Sequence, residues 1–471
     1  MISLDGVGLT AADIAAVAHR AASIEVSLRA RSRVAASHEF AVRVAAERPV
    51  YGRTTGVGAN RGVQVSDPAE HARGLLRSHA TSAGPLRSPE RVRAMLAVRL
   101  AQLAAGGSGA SPAVLDGLVA MLNADALPRI REFGSIGTGD LSALATTALA
   151  LSGEGPTSNP LPFVVALGAD DALPFLSSNA ATIGDAALAL VELRRCACAT
   201  IVTAALTFDA VDGNAEAFAD AVERVTPFAG ARWVAQQMRG FVNPAQTPAR
   251  IQDSFGLRTL PQVHGSLIDA LGRLEDVVAT MANAPSENPV ALPEIGLAHH
   301  GGFHAAYLVQ ALDAALAALA QSAQLTMARI SVLNEPAFTT LPAFLGDGTA
   351  GASGVMVIEY VAASALGSLR GLAMPAGLQS VTLSRGVEED ASFASLAALN
   401  ALNAAQVYRT LVASELVAAV RAVRMRRREH GPALQAVLRV CGVLDPALVD
   451  RDLTPDIDIA IGLVDAIAEL L

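Results

Sequence analysis

Apolar residues recur at intervals of three and four along most of this chain, the spacing of one face of an α-helix. Thr10, with Asp13 three residues on, opens the first run as a capping box, and residues 11–22 follow as a helix. Further helices are predicted over 27–46, over 91–105 with a stop at Gly106-Gly107, and over 112–122. An apolar run covers 141–151, and a longer one runs from 176–179 through 208. Residues 256–265 open another helix. Residues 303–333 form a long one that Asp313 and Gln321 interrupt without breaking, the pattern of a helix buried among helices. Helices over 351–369 and 391–429 complete the pattern. Glu388-Glu389-Asp390 opens the last stretch and Arg424, Arg426, Arg427 and Arg428 close it before Gly431-Pro432, charges of the sign that offsets a helix dipole at each end. Between the helices lie a glycine-punctuated loop at 49–58, a turn at Gly84-Pro85, and an irregular stretch at 158–171 with a short strand at 163–166. A polar, turn-rich stretch at 244–255, a loop with short extended pieces at 286–300 and a loop at 373–377 complete the connections. Repeats and heptads are absent, so the expected class is mainly α.

Composition narrows this picture. The chain of 471 residues is 52% hydrophobic and only 4% aromatic, so Ala, Leu and Val fill tightly packed helices. A net charge of −9 argues against a nucleic-acid binder. The longest apolar candidates, such as 314–328, are short and carry glutamines, so no membrane span is expected. Met1-Ile2-Ser3-Leu4-Asp5 lacks a basic region before an apolar one, so a cytoplasmic protein without a signal peptide is expected. All 35 basic residues are arginine. Without lysine there is no Schiff base, hence no pyridoxal phosphate chemistry, and no phosphate-binding loop of the lysine type. Cys196, Cys198 and Cys441 read as buried thiols, and the adjacent His299-His300 pair is poor chelating geometry, so no metal site is expected.

Two stretches invite chemistry. Gly134-Ser135-Ile136-Gly137-Thr138-Gly139-Asp140-Leu141 permits positive φ and close approach of other groups; its plainest reading is a helix entry capped by Thr138 or Asp140. Pro49 to Gly58 presents Tyr51, one of four tyrosines, on a glycine-rich loop that could offer a phenol to a substrate.

With its motifs in order, the chain resembles the aromatic amino acid ammonia-lyase and aminomutase family, from about Leu9 to at least Ser395. The matching pieces are Tyr51-Gly52-x-x-Thr55-Gly56-x-Gly58, Ser78-His79-Ala80, Gly134-Ser135-x-Gly137 with Gly139-Asp140-Leu141, and Gln252-Asp253 with Leu257-Arg258-x-x-Pro261-Gln262-Val263. Asn288-Pro289, Gly301-x-Phe303-His304 and Glu389-Asp390 complete the set. The resemblance implies a mainly α fold whose long central helices pack into a homotetrameric bundle. It implies an N-terminal region over 1–200 with the reactive loop and the Tyr51 loop, and a helical-bundle region over 201–471, in one integrated fold. In the family, Ala-Ser-Gly follows Gly-Ser-x-Gly and cyclises, losing two waters, to a methylidene-imidazolone electrophile.

This sequence departs there. Only Thr138 stands between Gly137 and Gly139, one residue fewer, and the serine that would dehydrate is missing. The expectation is therefore no cofactor and no methylidene-imidazolone; the alternative is a ring closed from Gly137, Thr138 and Gly139 with an extra methyl. By resemblance Tyr51 is the catalytic base, Thr138 and Gly139 occupy the electrophile's place, and Asn179 contacts the amine. Arg258 holds the carboxylate with a planar guanidinium, and His79, Phe303 and Glu389 line the substrate site. Phe255, Gly302 and Ala391 replace a tyrosine, an asparagine and a histidine of the family, and Gly367-Ser368-Leu369 stands where the family has Ser-Glu-Asn. The leading expectation is an enzyme performing elimination, isomerisation or cyclisation by acid–base chemistry on a small carboxylate or amino-acid-like substrate. The alternatives are an ammonia-lyase or aminomutase acting on histidine or an aromatic amino acid through a threonine-derived electrophile, and a non-catalytic ligand-binding or scaffold homologue.

Overall fold

Helices begin where the capping residues stand. The computed structural model describes residues 1–243 and 246–471, so the first two residues of the polar stretch 244–255 lie outside the described residues. Thr10 and Asp13 form the expected capping box on Ala11–Ala18, and Ser27 accepts from the Ala30 N–H to start Leu28–Glu47. Proline follows the cap in Pro68–His79, Pro89–Ala104 and Pro112–Asn123, where a missing N–H costs nothing. Longer helices cover Ala180–Ala210, Leu260–Ala282, Ala306–Asn334, Met356–Leu372 and Ala394–Arg426. Strand structure among the described residues amounts to three two-stranded ribbons, so the fold is mainly α.

The chain forms two compact units, each from three segments. The first comprises residues 1–191, 274–312 and 375–399. At its centre lies Pro89–Ala104, in which every residue from Val92 to Ala104 is buried. It packs against Ala11–Ala18, Leu28–Glu47 and Pro112–Asn123. Gly184 lets Ala180–Ala210 come close to it, since a Cβ there would lie 2.8 Å from the Met95 backbone nitrogen. Arg99 in this helix is fully buried and pairs with Glu287 at 2.7 Å. It also donates to Phe175 O at 3.1 Å and to Pro174 O.

The second unit comprises residues 192–273, 313–374 and 400–471. Its alanine-rich interior contains a polar ladder. Tyr408 Oη meets Thr200 Oγ1 at 2.7 Å and Ser322 Oγ at 3.3 Å. Ser322 in turn meets His264 Nδ1 at 2.7 Å, and burial drives the His264 pKa down to about 4. Arg329 makes a two-pronged pair with Glu415, at 2.7 Å from each nitrogen, with both side chains fully buried.

Several local expectations are corrected. Gly84-Pro85 is not a turn: residues Ala83–Leu86 pair antiparallel with Arg131–Phe133, a distant partner that local sequence does not announce. Residues 163–166 form no strand; Val165 N–H reaches Leu151 O at 2.9 Å, while Phe163 and Val164 face solvent. Asp140 stands before Leu141–Leu151 but its carboxylate accepts no N–H of that helix, reaching instead the Thr182 N–H in the first turn of Ala180–Ala210, and Thr138 is not the cap either. The last long helix starts at Ala394 rather than 391, because Phe393 takes φ +53°. The acids at 388–390 therefore do not cap it. At its other end Arg424 donates to the Cys441 and Leu444 carbonyls at 2.8 Å, and Arg426 and Arg428 pair with Asp212. These arginines serve specific partners as well as a helix end. The stretch Met356–Leu378 is long and apolar enough to cross a membrane by length and composition alone, but Glu359, Arg370 and Pro375 lie within it. Cys196 and Cys441 are buried and Cys198 is half-buried, all three as free thiols.

Candidate active site

The loop 134–141 is held by its neighbours at several polar backbone atoms, among them Ser135 O, Ile136 O and Asp140 N–H. Gly137, at φ +84°, is pressed against residues 392–394: a Cβ on it would lie 2.1 Å from Ser392 Oγ and 2.8 Å from the Ala394 nitrogen. No side chain fits there, so glycine is required. Gly137 O accepts from Ser392 Oγ at 2.7 Å and from Ala305 N–H at 3.3 Å. Gly139 N–H donates to Asn179 Oδ1 at 3.0 Å, and Asn179 Nδ2 donates to Phe303 O. The Asp140 carboxylate is buried and accepts from Ser135 Oγ at 2.6 Å, Thr182 N–H at 2.8 Å and Thr182 Oγ1 at 2.9 Å. Burial still lifts its pKa above the ordinary value, against the pull of those donors.

Thr138 borders a cavity of about 990 Å³ in the first unit. Tyr51, His79, Phe303 and Glu389, all singled out in the sequence, border it too. Asn179 stands behind Thr138 and reaches the cavity wall through Gly139 and Phe303. Arg258 belongs to the second unit, where its guanidinium lies 4.7 Å above the Phe255 ring and Nε donates to Asp253 O at 3.2 Å.

Tyr51 is anchored at both ends. Its N–H donates to His299 Nε2 at 3.2 Å, and its Oη accepts the Gly58 N–H at 2.7 Å. A donor aimed at the phenol oxygen favours phenolate, and the nearby Arg61 acts in the same direction. Burial and the charge of Glu388 act the other way, burial most strongly, and the pKa is raised. Tyr51 is thus a phenol at neutral pH, and its phenolate fraction grows as pH rises toward and past 10. Glu388→Gln removes a negative charge that disfavours phenolate, so the Tyr51 titration is expected to move to lower pH. The ultraviolet tyrosinate signal of the variant, after subtraction of the same variant lacking the Tyr51 hydroxyl, measures it.

The histidines are set in defined tautomers. His79 Nδ1 bonds the Leu75 carbonyl at 3.0 Å, so Nδ1 carries the proton and Nε2 remains an acceptor. Burial lowers its pKa, which favours the neutral ring. His300 Nε2 donates to Glu287 O at 2.7 Å while its Nδ1 accepts from Gly302 N–H at 2.9 Å. His304 Nε2 lies 3.2 Å from Asp390. Arg61, Ser384 and the His299-His300 pair, which the sequence offered only as poor chelators, also border the cavity, as does Glu388, which the sequence placed at a helix start. Ser384 Oγ accepts from Ala59 N–H at 3.0 Å and fastens the Tyr51 loop to the acidic loop. Adjacency to Glu389 was the available signal for Glu388, whereas Arg61, ten residues after Tyr51, carried none. Among the described residues no cluster of three or more His, Cys, Asp or Glu has the geometry to hold a metal ion.

This geometry can be set beside known proteins. The family model for aromatic amino acid lyase matches residues 9–442. The histidine ammonia-lyase of Streptomyces coelicolor is 32% identical over 98% of this chain and 95% of its own length. Among solved structures, ergothionase of Treponema denticola, described as an ergothioneine degrading enzyme, superposes with a TM-score of 0.93 at 25% identity over 100% of this chain and 99% of that one. Tyrosine aminomutase of Streptomyces globisporus gives 0.92 at 26% identity over 100% and 97%. With the family model matching residues 9–442 and its length matched almost throughout, the chain belongs to the aromatic amino acid lyase family.

Proposed function

We propose that this protein is a lyase that works without the family's methylidene-imidazolone and eliminates a tertiary amine from an imidazole-bearing trialkylammonio acid. The observation that carries the reading is the shortened loop. The two atoms that would have to join, Gly137 C and Gly139 N, belong to groups engaged by Ser392, Ala305 and Asn179. Closing a ring would consume the Gly139 N–H bond and expel the Gly137 oxygen with both of its donors, leaving buried donors unpaired at roughly 1–3 kcal/mol each. Thr138 would supply a bulkier alkene than serine does. The residues present do not fit the group.

The chemistry then falls to Tyr51. A phenolate takes the β-hydrogen, the C–H electron pair forms the C=C bond, and the C–N pair leaves with the nitrogen as a neutral amine. The pKa order selects the substrate. An α-amino group titrates near 8 and a tyrosine near 10, so phenolate would strip a primary ammonium of its N–H before any C–H. A fully alkylated nitrogen has no N–H to lose. Ergothioneine, which the Treponema neighbour degrades by its description, carries a trimethylammonium beside a carboxylate. Imidazole recognition is supported by His79 and Glu389 at the cavity and by the histidine ammonia-lyase relatives. We further propose a homotetramer, supported by exposed Val357 and Tyr360 on Met356–Leu372; light scattering on the eluting protein tests it.

Intact-mass measurement tests the central point. The expected mass is that of the unmodified sequence, and incubation with histidine trimethylbetaine is expected to release trimethylamine and raise the near-ultraviolet absorbance of a conjugated acid. A mass lower by two waters would refute the reading. It would favour the second one, a histidine-type ammonia-lyase with a ring from Gly137, Thr138 and Gly139, which the 32% identity to such enzymes supports.

A further inference from the structure

Two residues past Tyr51, at a position that the motif Tyr51-Gly52-x-x-Thr55-Gly56-x-Gly58 leaves open, this chain places Arg53. Its side chain is only 3% exposed, although it springs from a loop. Nη1 donates to Asp170 Oδ1 at 2.7 Å and Nη2 to Gly109 O at 2.9 Å. The seat is shaped for the guanidinium. Gly109 stands at φ +71°, and a Cβ there would lie 2.6 Å from Arg53 Nη2 and 2.7 Å from Ala41 Cβ. Gly109 is itself held, its N–H donating to Ser37 Oγ at 3.2 Å.

Stability does not account for this arrangement. Burial lowers the Arg53 pKa against the pull of Asp170, the mark of a charge taken from water at a cost. An apolar side chain of similar length would fill the slot without that cost. What the guanidinium adds is direction: two bonds, from one planar group, to two segments distant in sequence. We infer that Arg53 is a positioning residue, whose two bonds fix the base of the loop and with it the direction in which Tyr51 presents its phenol to the cavity. This rests on the reading of Tyr51 as the base. Without Arg53, Tyr51 N–H to His299 and Ala59 N–H to Ser384 would still fasten the loop, but its base would lose both bonds to the interior. A reacting group displaced by about 1 Å loses on the order of 100-fold in rate.

The native full chain, Arg53→Met and Arg53→Lys are compared by melting, by amide hydrogen exchange over residues 50–60 and by turnover of histidine trimethylbetaine. Arg53→Met is expected to melt close to the native chain, because Asp170 is one-third exposed and returns to water while Gly109 O keeps His38 Nδ1 at 2.9 Å. Exchange over 50–60 is expected to quicken about 10-fold, the worth of one charge-assisted bond, with Pro89–Ala104 unchanged. The kcat is expected to fall about 100-fold and KM to stay within about twofold. Arg53→Lys keeps a donor for Asp170 and is expected to recover part of both losses. Native-like loop exchange in Arg53→Met would overturn the inference, as would exchange quickened equally throughout the chain or a loss confined to KM. If Tyr51→Phe is inactive and Arg53→Met turns over normally, the inference fails and the base stands. If Tyr51→Phe is fully active, the reading of the base fails with it. A native chain inert on the betaine would fail the proposed function, and loop exchange would still decide whether Arg53 pins the loop.

Discussion

Tyr51→Phe is expected to lower turnover of the eliminated betaine by roughly 100- to 10,000-fold, the usual worth of a positioned acid–base group, while leaving its binding nearly unchanged. The substitution removes one oxygen. That oxygen accepts the Gly58 N–H at 2.7 Å, and the loop keeps its other fastenings through Tyr51 N–H to His299 and Ala59 N–H to Ser384. Melting should therefore move little, consistent with about 1 kcal/mol for one hydrogen bond. In the native chain the rate should climb with pH, because the active phenolate is the minor form below the raised pKa of Tyr51. Turnover by Tyr51→Phe equal to the native chain's, or a native rate that falls as pH rises from 7 to 9, would assign the proton to another group.

The second large effect concerns stability. Glu287→Ala is expected to destabilise the protein by about 3–5 kcal/mol, read from urea or thermal unfolding, because it leaves the Arg99 guanidinium buried and unpaired. Arg99 is fully buried and Glu287 nearly so. The pair also braces the cavity from behind. Arg99 binds the Pro174 and Phe175 carbonyls just before Ser177, Ser178 and Asn179, and it reaches Gln102, whose Oε1 accepts from Ser178 Oγ at 2.5 Å. On the other side, Glu287 O holds the His300 ring, and Asn288 N–H donates to Ser177 Oγ at 3.0 Å. Glu287→Gln keeps an acceptor for Arg99 and should cost clearly less. A Glu287→Ala protein as stable as the native one would mean that the pair's attraction merely offsets its desolvation.

Much of the site was legible because its chemistry resides in residue types that local backbone demands. Gly137 and Gly139 take positive φ, and setting their spacing beside the loop of the family the chain resembles showed that a residue was missing. Tyr51 announced itself as a rare tyrosine in a glycine-punctuated loop, and His79, Phe303 and Glu389 came with their motifs. Glu388 and Arg61 were harder. Nothing local distinguishes a cavity acid from a helix-capping one until Phe393, at φ +53°, halts the following helix three residues beyond Asp390. Arg61 is one of 35 arginines, and what sets it apart is its place on the cavity wall, which the fold and not the local sequence decides.

The sequence by itself determined the helical class, the helix starts at Thr10 and Ser27 and the absence of lysine chemistry, because each depends on residue type or on interactions within a few residues; the shortened loop was legible through the family resemblance. Only the tertiary structure decided the pairing of Ala83–Leu86 with Arg131–Phe133, the burial of Arg99 against Glu287 and the convergence of Arg61 and Glu388 on one cavity. Those depend on partners dozens to hundreds of residues away, brought together by burial of an alanine- and leucine-rich interior that does not encode by local pattern which polar groups will meet.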